Sequence, residues 1–70
     1  MKKFSIRNQL AGTVQSITKG PVVSEVVVET AAGTIASVIT TRSVLDLRLK
    51  KRDSVVVMVK ATEASIQKVG

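Results

Sequence analysis

The run Ser24-Glu25-Val26-Val27-Val28-Glu29-Thr30 is rich in β-branched residues and free of glycine and proline. A two-residue period sets Glu25, Val27 and Glu29 on one face and Val26, Val28 and Thr30 on the other, so the run reads as a β-strand. Punctuation stands on both sides of it. Lys19-Gly20-Pro21 predicts a turn before the strand, since glycine accepts positive φ and proline withholds a ladder donor. Ala31-Ala32-Gly33 predicts a tight hairpin after it, leading into a further strand, Thr34-Ile35-Ala36-Ser37-Val38-Ile39-Thr40. Upstream, Asn8 to Thr18 forms an earlier strand with Leu10, Val14 and Ile17 as its apolar residues. Downstream, Ser54-Val55-Val56-Val57-Met58-Val59-Lys60-Ala61 is apolar on both faces until Lys60. Such a strand is expected to be covered on both sides, by the domain's interior and by a neighbouring subunit. Ala64 to Val69 supplies the last strand. Between Thr40 and Asp53 the period changes: Thr41-Arg42-Ser43-Val44-Leu45-Asp46-Leu47 opens on a potential N-cap and groups Val44, Leu45 and Leu47 as a helical turn or two. The expected fold is therefore all-β, a small five-stranded OB-like barrel with one short helix between strands 3 and 4.

The chain has 70 residues, enough for a single domain, here read as residues 4–70. A domain of this size buries too little surface for a robust core and needs a supplement. Disulfides, zinc and iron–sulfur clusters are excluded, because the sequence contains no cysteine and no histidine. Association with further copies is the supplement left. The hydrophobic fraction of 44%, dominated by Val and Ile, exceeds what so small an interior can hold. A net charge of +6 favours anionic partners. No apolar run approaches a membrane span, and Met1-Lys2-Lys3-Phe4-Ser5 has charge without the apolar segment of a signal peptide. The expected location is cytoplasmic, with no membrane contact.

Catalysis has little to build on. Histidine and cysteine are absent, and a Ser43/Lys60 dyad would need a lysine pKa depressed by its surroundings. Glu25, Glu29, Asp46, Asp53 and Glu63 are scattered without the spacing of a metal site. The expectation is a binding protein, not an enzyme. Three groups near element boundaries combine cations or hydroxyls with backbone donors: Ser5-Ile6-Arg7-Asn8, Thr40-Thr41-Arg42-Ser43 and Lys60-Ala61-Thr62. A tetrahedral dianion has four oxygens that only accept hydrogen bonds, so it requires such donors and no carboxylate.

The wording of the chain resembles the molbindin family, the stand-alone form of the Mop or TOBE domain. Ser5-Ile6-Arg7-Asn8-Gln9-Leu10-Ala11-Gly12-Thr13-Val14 is similar to that family's S-A-R-N-Q-L-x-G-x-V opening. Lys19-Gly20-Pro21-Val22-Val23-Ser24-Glu25-Val26, Val38-Ile39-Thr40-Thr41-Arg42-Ser43-Val44 and Val59-Lys60-Ala61-Thr62 resemble its later blocks, in order and at matching separations. The resemblance implies a homo-oligomer, a hexamer built as a trimer of dimers, holding molybdate or tungstate at subunit interfaces. It implies intracellular molybdenum storage, buffering or homeostasis, with no organic cofactor. Carried over by position, the oxyanion shell falls on Ser5, Arg7, Asn8, Thr40, Ser43, Lys60, Ala61 and Thr62. A second oxyanion site near the threefold axis falls on Val22, Val23 and Ser24. Val23 replaces the polar residue, typically Asn, of many members, which reduces its donors to backbone.

The chain departs from the family where L-G-L-K-x-G-D would stand. Leu47-Arg48-Leu49-Lys50-Lys51-Arg52-Asp53 replaces both glycines with arginine, making a basic corner. Positive φ at those positions would make the replacements costly. The competing reading is a basic OB-like module that binds nucleic acid. Single-strand readers of that type stack bases on aromatic side chains, and Phe4 is the lone aromatic residue. Nucleic acid is accordingly a less favoured partner, and a solvated charged face is the simpler account of the corner.

Overall fold

The computed structural model describes residues 6–70. Four strands form one antiparallel sheet: β1 (Asn8–Lys19), β2 (Val23–Thr30), β3 (Gly33–Thr40) and β4 (Ser54–Val59), in the order β3-β2-β1-β4. A helix α1 (Thr41–Asp46) joins β3 to β4, and a short 3-10 turn (Ala61–Glu63) follows β4. The mostly β architecture and the position of the helix are as expected.

β1 is the hub. Its first half, Asn8 to Thr13, pairs with β4, and its second half, Gly12 to Lys19, pairs with β2. The register slips by one residue between Val14 and Ser16, a bulge that bends β1 from one neighbour toward the other. Gly12 lies where the two ladders overlap. A Cβ placed there would come within 2.5 Å of the Glu29 carbonyl oxygen and 2.7 Å of Val28 Cγ1, so only glycine lets the strands close.

The two-residue alternation decides what is inside. Ser24, Val26 and Val28 of β2 point inward and are buried, and Val14, Val57 and Val44 complete the core. Leu10, Ile17, Ile35, Ile39, Leu49, Val55 and Val59 pack around it at partial burial. Of the helical group Val44, Leu45 and Leu47, only Val44 reaches the core, while Leu45 and Leu47 remain exposed. The outward face of β4 is also apolar and open, with Val56 53% and Met58 47% exposed.

Thr40 caps α1, its side chain accepting from the Ser43 N–H at 3.1 Å. The helix ends in a Schellman arrangement: Leu49 N–H donates to the Val44 carbonyl and Arg48 N–H to the Leu45 carbonyl, both at 3.1 Å. That motif places Arg48 in the left-handed region at φ 52. The next turn, closed by Asp53 N–H on the Lys50 carbonyl, holds Arg52 at φ 79. Arginine therefore occupies both positions at which glycine would be free of strain.

The fifth strand differs from expectation. Residues 64–70 form no strand, and Ile66 and Val69 are 97% and 90% exposed. The segment begins extended, with Ala64 at φ -88 and ψ 132, but Ser65–Gly70 find no ladder partner among the described residues of their own chain. β4 likewise ends at Val59 rather than continuing to Ala61, because Lys60 turns the backbone into the 3-10 segment.

Candidate oxyanion site

Pairing of β1 with β4 sets Asn8 opposite Val59. Arg7 and Asn8 at the start of β1 thus neighbour Lys60, Ala61 and Thr62 just beyond the end of β4, and all five are exposed. Lys60 precedes the 3-10 turn with no side-chain cap, and Ala61 and Thr62 N–H find no backbone acceptor among the described residues. Two cations, an amide and two free N–H groups are gathered at this end of the sheet. Ser5, expected beside them, lies outside the described residues.

The other expected residues gather at the far end of β1. Val23 pairs with Thr40, and Thr41 N–H donates to the Val22 carbonyl at 2.8 Å, so Val22–Ser24 and Thr40–Ser43 form one unit. A count of hydroxyl protons shows what this unit can offer. Thr41 Oγ1 donates its single proton to the Gly20 carbonyl at 2.7 Å. The Ser24 Oγ to Thr41 Oγ1 contact of 2.7 Å must then use the Ser24 proton. Ser24 is 2% exposed, and its hydroxyl is spent on holding Thr41. Thr40 and Ser43 differ. Their hydroxyls lie 2.8 Å apart and share one of two protons, which leaves the other to donate outward. Sequence reasoning missed Thr41 as the keystone here. Its only signal was a position between two donor candidates.

These two groups sit at opposite ends of β1. Eleven steps from Asn8 to Lys19, at about 3.3 Å each, make roughly 35 Å of strand. No single tetrahedral ion spans that distance within one chain. The same separation keeps Ser43 from Lys60, so the formal Ser/Lys pair is not assembled in a chain. Among the described residues no three acidic, histidine or cysteine side chains gather as a metal site. Arg48, Lys50, Lys51 and Arg52 form an exposed corner beyond α1, with Asp53 accepting from Lys50 N–H at 3.0 Å.

A bent four-stranded sheet around a valine core, with its donors collected at strand ends, defines a small β-domain built for binding at its edges. The chain belongs to the TOBE-domain family, in its Mop form: the sequence pattern of the TOBE domain matches residues 5–66. Molybdenum-pterin-binding protein 2 of Clostridium pasteurianum is 43% identical over 64 residues, covering 90% of this chain and 94% of that protein. Molybdenum-pterin-binding protein 3 of the same organism is 40% identical over the same shares. Among solved structures, a molybdate-binding protein from Sporomusa ovata superposes with a TM-score of 0.92 at 40% identity, covering 96% of this chain and all (100%) of that one. The cytoplasmic molybdate-binding protein ModG, with molybdate bound, matches at a TM-score of 0.81 and 38% identity, over 86% of this chain and 43% of its own. No helix among the described residues is long and apolar enough to cross a membrane.

Proposed function

We propose that this protein binds molybdate or tungstate at interfaces between its own subunits, and stores or buffers the ion in the cytoplasm as a hexamer arranged as a trimer of dimers. The observation that carries this reading is the division of donors between the two ends of β1. Arg7, Asn8, Lys60, Ala61 and Thr62 supply charge and N–H groups at one end, while Thr40 and Ser43 supply a spare hydroxyl proton at the other. Each is a partial shell. A second copy placing its Thr40–Ser43 end against Arg7 and Lys60 would complete one, with Ser5 in the same group. Val22–Ser24 can add backbone donors alone at a second site, because the Ser24 hydroxyl is committed to Thr41. The donor chemistry matches the molybdate named for the Sporomusa ovata protein and for ModG. No catalytic step is needed, and no organic cofactor.

Native mass spectrometry with molybdate, and with sulfate as control, tests the proposal. The expected result is a hexamer that gains discrete molybdate masses and ignores sulfate, with the gain lost in Arg7→Ala and Lys60→Ala. A hexamer that takes up nothing would overturn the ligand, and a monomer would overturn the interfacial arrangement as well.

A further inference from the structure

The corner that follows α1 carries Arg48, Lys50, Lys51 and Arg52, four exposed cations within five residues. Its backbone is fixed. Arg48 and Leu49 N–H donate to the Leu45 and Val44 carbonyls, Asp53 N–H to the Lys50 carbonyl, and Lys50 N–H to Asp53 Oδ2. Two further bonds fasten the loop to β1 at buried Val14. Arg52 N–H donates to the Val14 carbonyl at 2.8 Å, and Val14 N–H donates to the Asp53 carbonyl at 2.9 Å. Arg48 and Arg52 are thereby locked at φ 52 and φ 79, a conformation that glycine takes without strain. Neither guanidinium makes a hydrogen bond or ion pair among the described residues. The neighbouring acids are engaged elsewhere: Asp46 lies 3.9 Å from Arg42, and Asp53 accepts from backbone. A charged face that served solubility alone would gain as much from arginine at an unstrained surface position. Strain held in a rigid frame, with no contact inside the chain to offset it, marks a surface that acts outward.

We propose that this corner is a docking surface for an acidic segment of a partner protein, with Leu45 beside it as an apolar anchor. Each guanidinium presents a planar fork of donors that fits a carboxylate through two parallel bonds. Leu45 is 59% exposed, and its carbonyl accepts from Arg48 N–H, so apolar and basic side chains share one surface. Leu47, 66% exposed, extends the apolar part. Such a surface fits a partner that carries carboxylates and apolar side chains together. A phosphodiester strand offers no complement to the leucines, and the corner has no aromatic side chain on which bases would stack. The fixed backbone lowers the ordering cost of binding, because the cations are already gathered. This docking surface rests on neither the ligand nor the assembly of the proposed function.

The test uses a fluorescein-labelled peptide of repeating Leu-Glu-Glu triplets, its binding to the full chain read by fluorescence anisotropy at low salt. Polyglutamate and a single-stranded oligonucleotide of equal charge are titrated beside it, and phosphatidylserine vesicles are tested by co-sedimentation. The Leu-Glu-Glu peptide is expected to bind most tightly. Arg48→Gly/Arg52→Gly should weaken it about tenfold. The same variant should have a raised urea midpoint and molybdate uptake as in the unmodified chain, so the loss is one neither of folding nor of the oxyanion site. Arg48→Lys/Arg52→Lys keeps the charge and should recover only part of the affinity, because lysine lacks the fork. Leu45→Ser should erase the margin of the peptide over polyglutamate. Tighter binding of the oligonucleotide or of the vesicles would overturn a protein partner. Equal binding by the double glycine variant, or no binding of the peptide to the unmodified chain, would overturn the docking surface itself. A lower urea midpoint in the glycine variant would assign the arginines to the fold and overturn it as well.

Discussion

Arg48 and Arg52 hold backbone conformations that side chains resist, at φ 52 and φ 79. The left-handed region crowds Cβ against the carbonyl, at a cost of about 1 kcal/mol or more for each residue. Glycine avoids that cost but loses more chain entropy on folding, so only part of it is recoverable. Arg48→Gly and Arg52→Gly are each expected to stabilise the protein by about 0.5 kcal/mol, read from urea midpoints at fixed protein concentration. A lower midpoint would show that the arginine side chain makes contacts that outweigh the strain. At the other end of α1, the proton count separates Ser24 from Thr41. Ser24→Ala removes one donor and leaves Thr41 bonded to Gly20, costing about 1 kcal/mol. Thr41→Val strands both the Gly20 carbonyl and the buried Ser24 hydroxyl, and should cost roughly twice as much. Equal losses would mean that the hydroxyl chain runs differently.

β1 is the element on which the others depend, because it forms ladders with both β2 and β4. Its overlap at Gly12 tolerates no side chain, since the nearest atom to a Cβ there is backbone rather than a movable side chain. Gly12→Ala should therefore cost about 1–3 kcal/mol, as overpacking does elsewhere. Faster amide exchange is expected across the Gly12–Thr30 and Val14–Val28 pairs, with the outer β2–β3 pairs least affected. Uniform exchange across all ladders would place the strain elsewhere. β4 makes a different demand. Its inward residues Val55, Val57 and Val59 serve the core, while Val56 and Met58 face outward with no cover in the single chain. Val56→Asp would be nearly neutral on a bare surface, and should break the oligomer if a second subunit lies against that face. Sedimentation at several concentrations distinguishes these outcomes.

For the whole molecule, five buried hydrophobic residues among those described make a small core. Domains of this size bury too little to be secure alone. The thermal midpoint should then rise with protein concentration, as it does when association supplies part of the stability. An interfacial anion adds to this by mass action, by about 2.7 kcal/mol when its concentration is one hundred times Kd. Molybdate should raise the midpoint where sulfate does not, and Lys60→Ala should remove the difference. A midpoint independent of both concentration and molybdate would contradict assembly and ligand together.

The strands, turns and helix were legible because they follow from local rules. Alternation marked β2 and β3, Gly20-Pro21 and Gly33 marked their turns, and a change of period between Thr40 and Asp53 marked α1. The strain at Arg48 and Arg52 could be anticipated too, since glycine is the residue those turns favour. Which donors become neighbours could not be read in this way. That Arg7 lies beside Lys60, that Thr40 lies beside Val23, and that the two groups are a strand length apart follow from ladder register. The spent proton of Ser24 follows from a contact across 17 residues of sequence. That residues 64–70 form no strand in their own chain was hidden for the same reason. Periodicity states that a segment can be a strand, whereas its hydrogen-bond partner is set by the three-dimensional path of the chain, and here residues 64–70 meet no ladder partner among the described residues of their own chain.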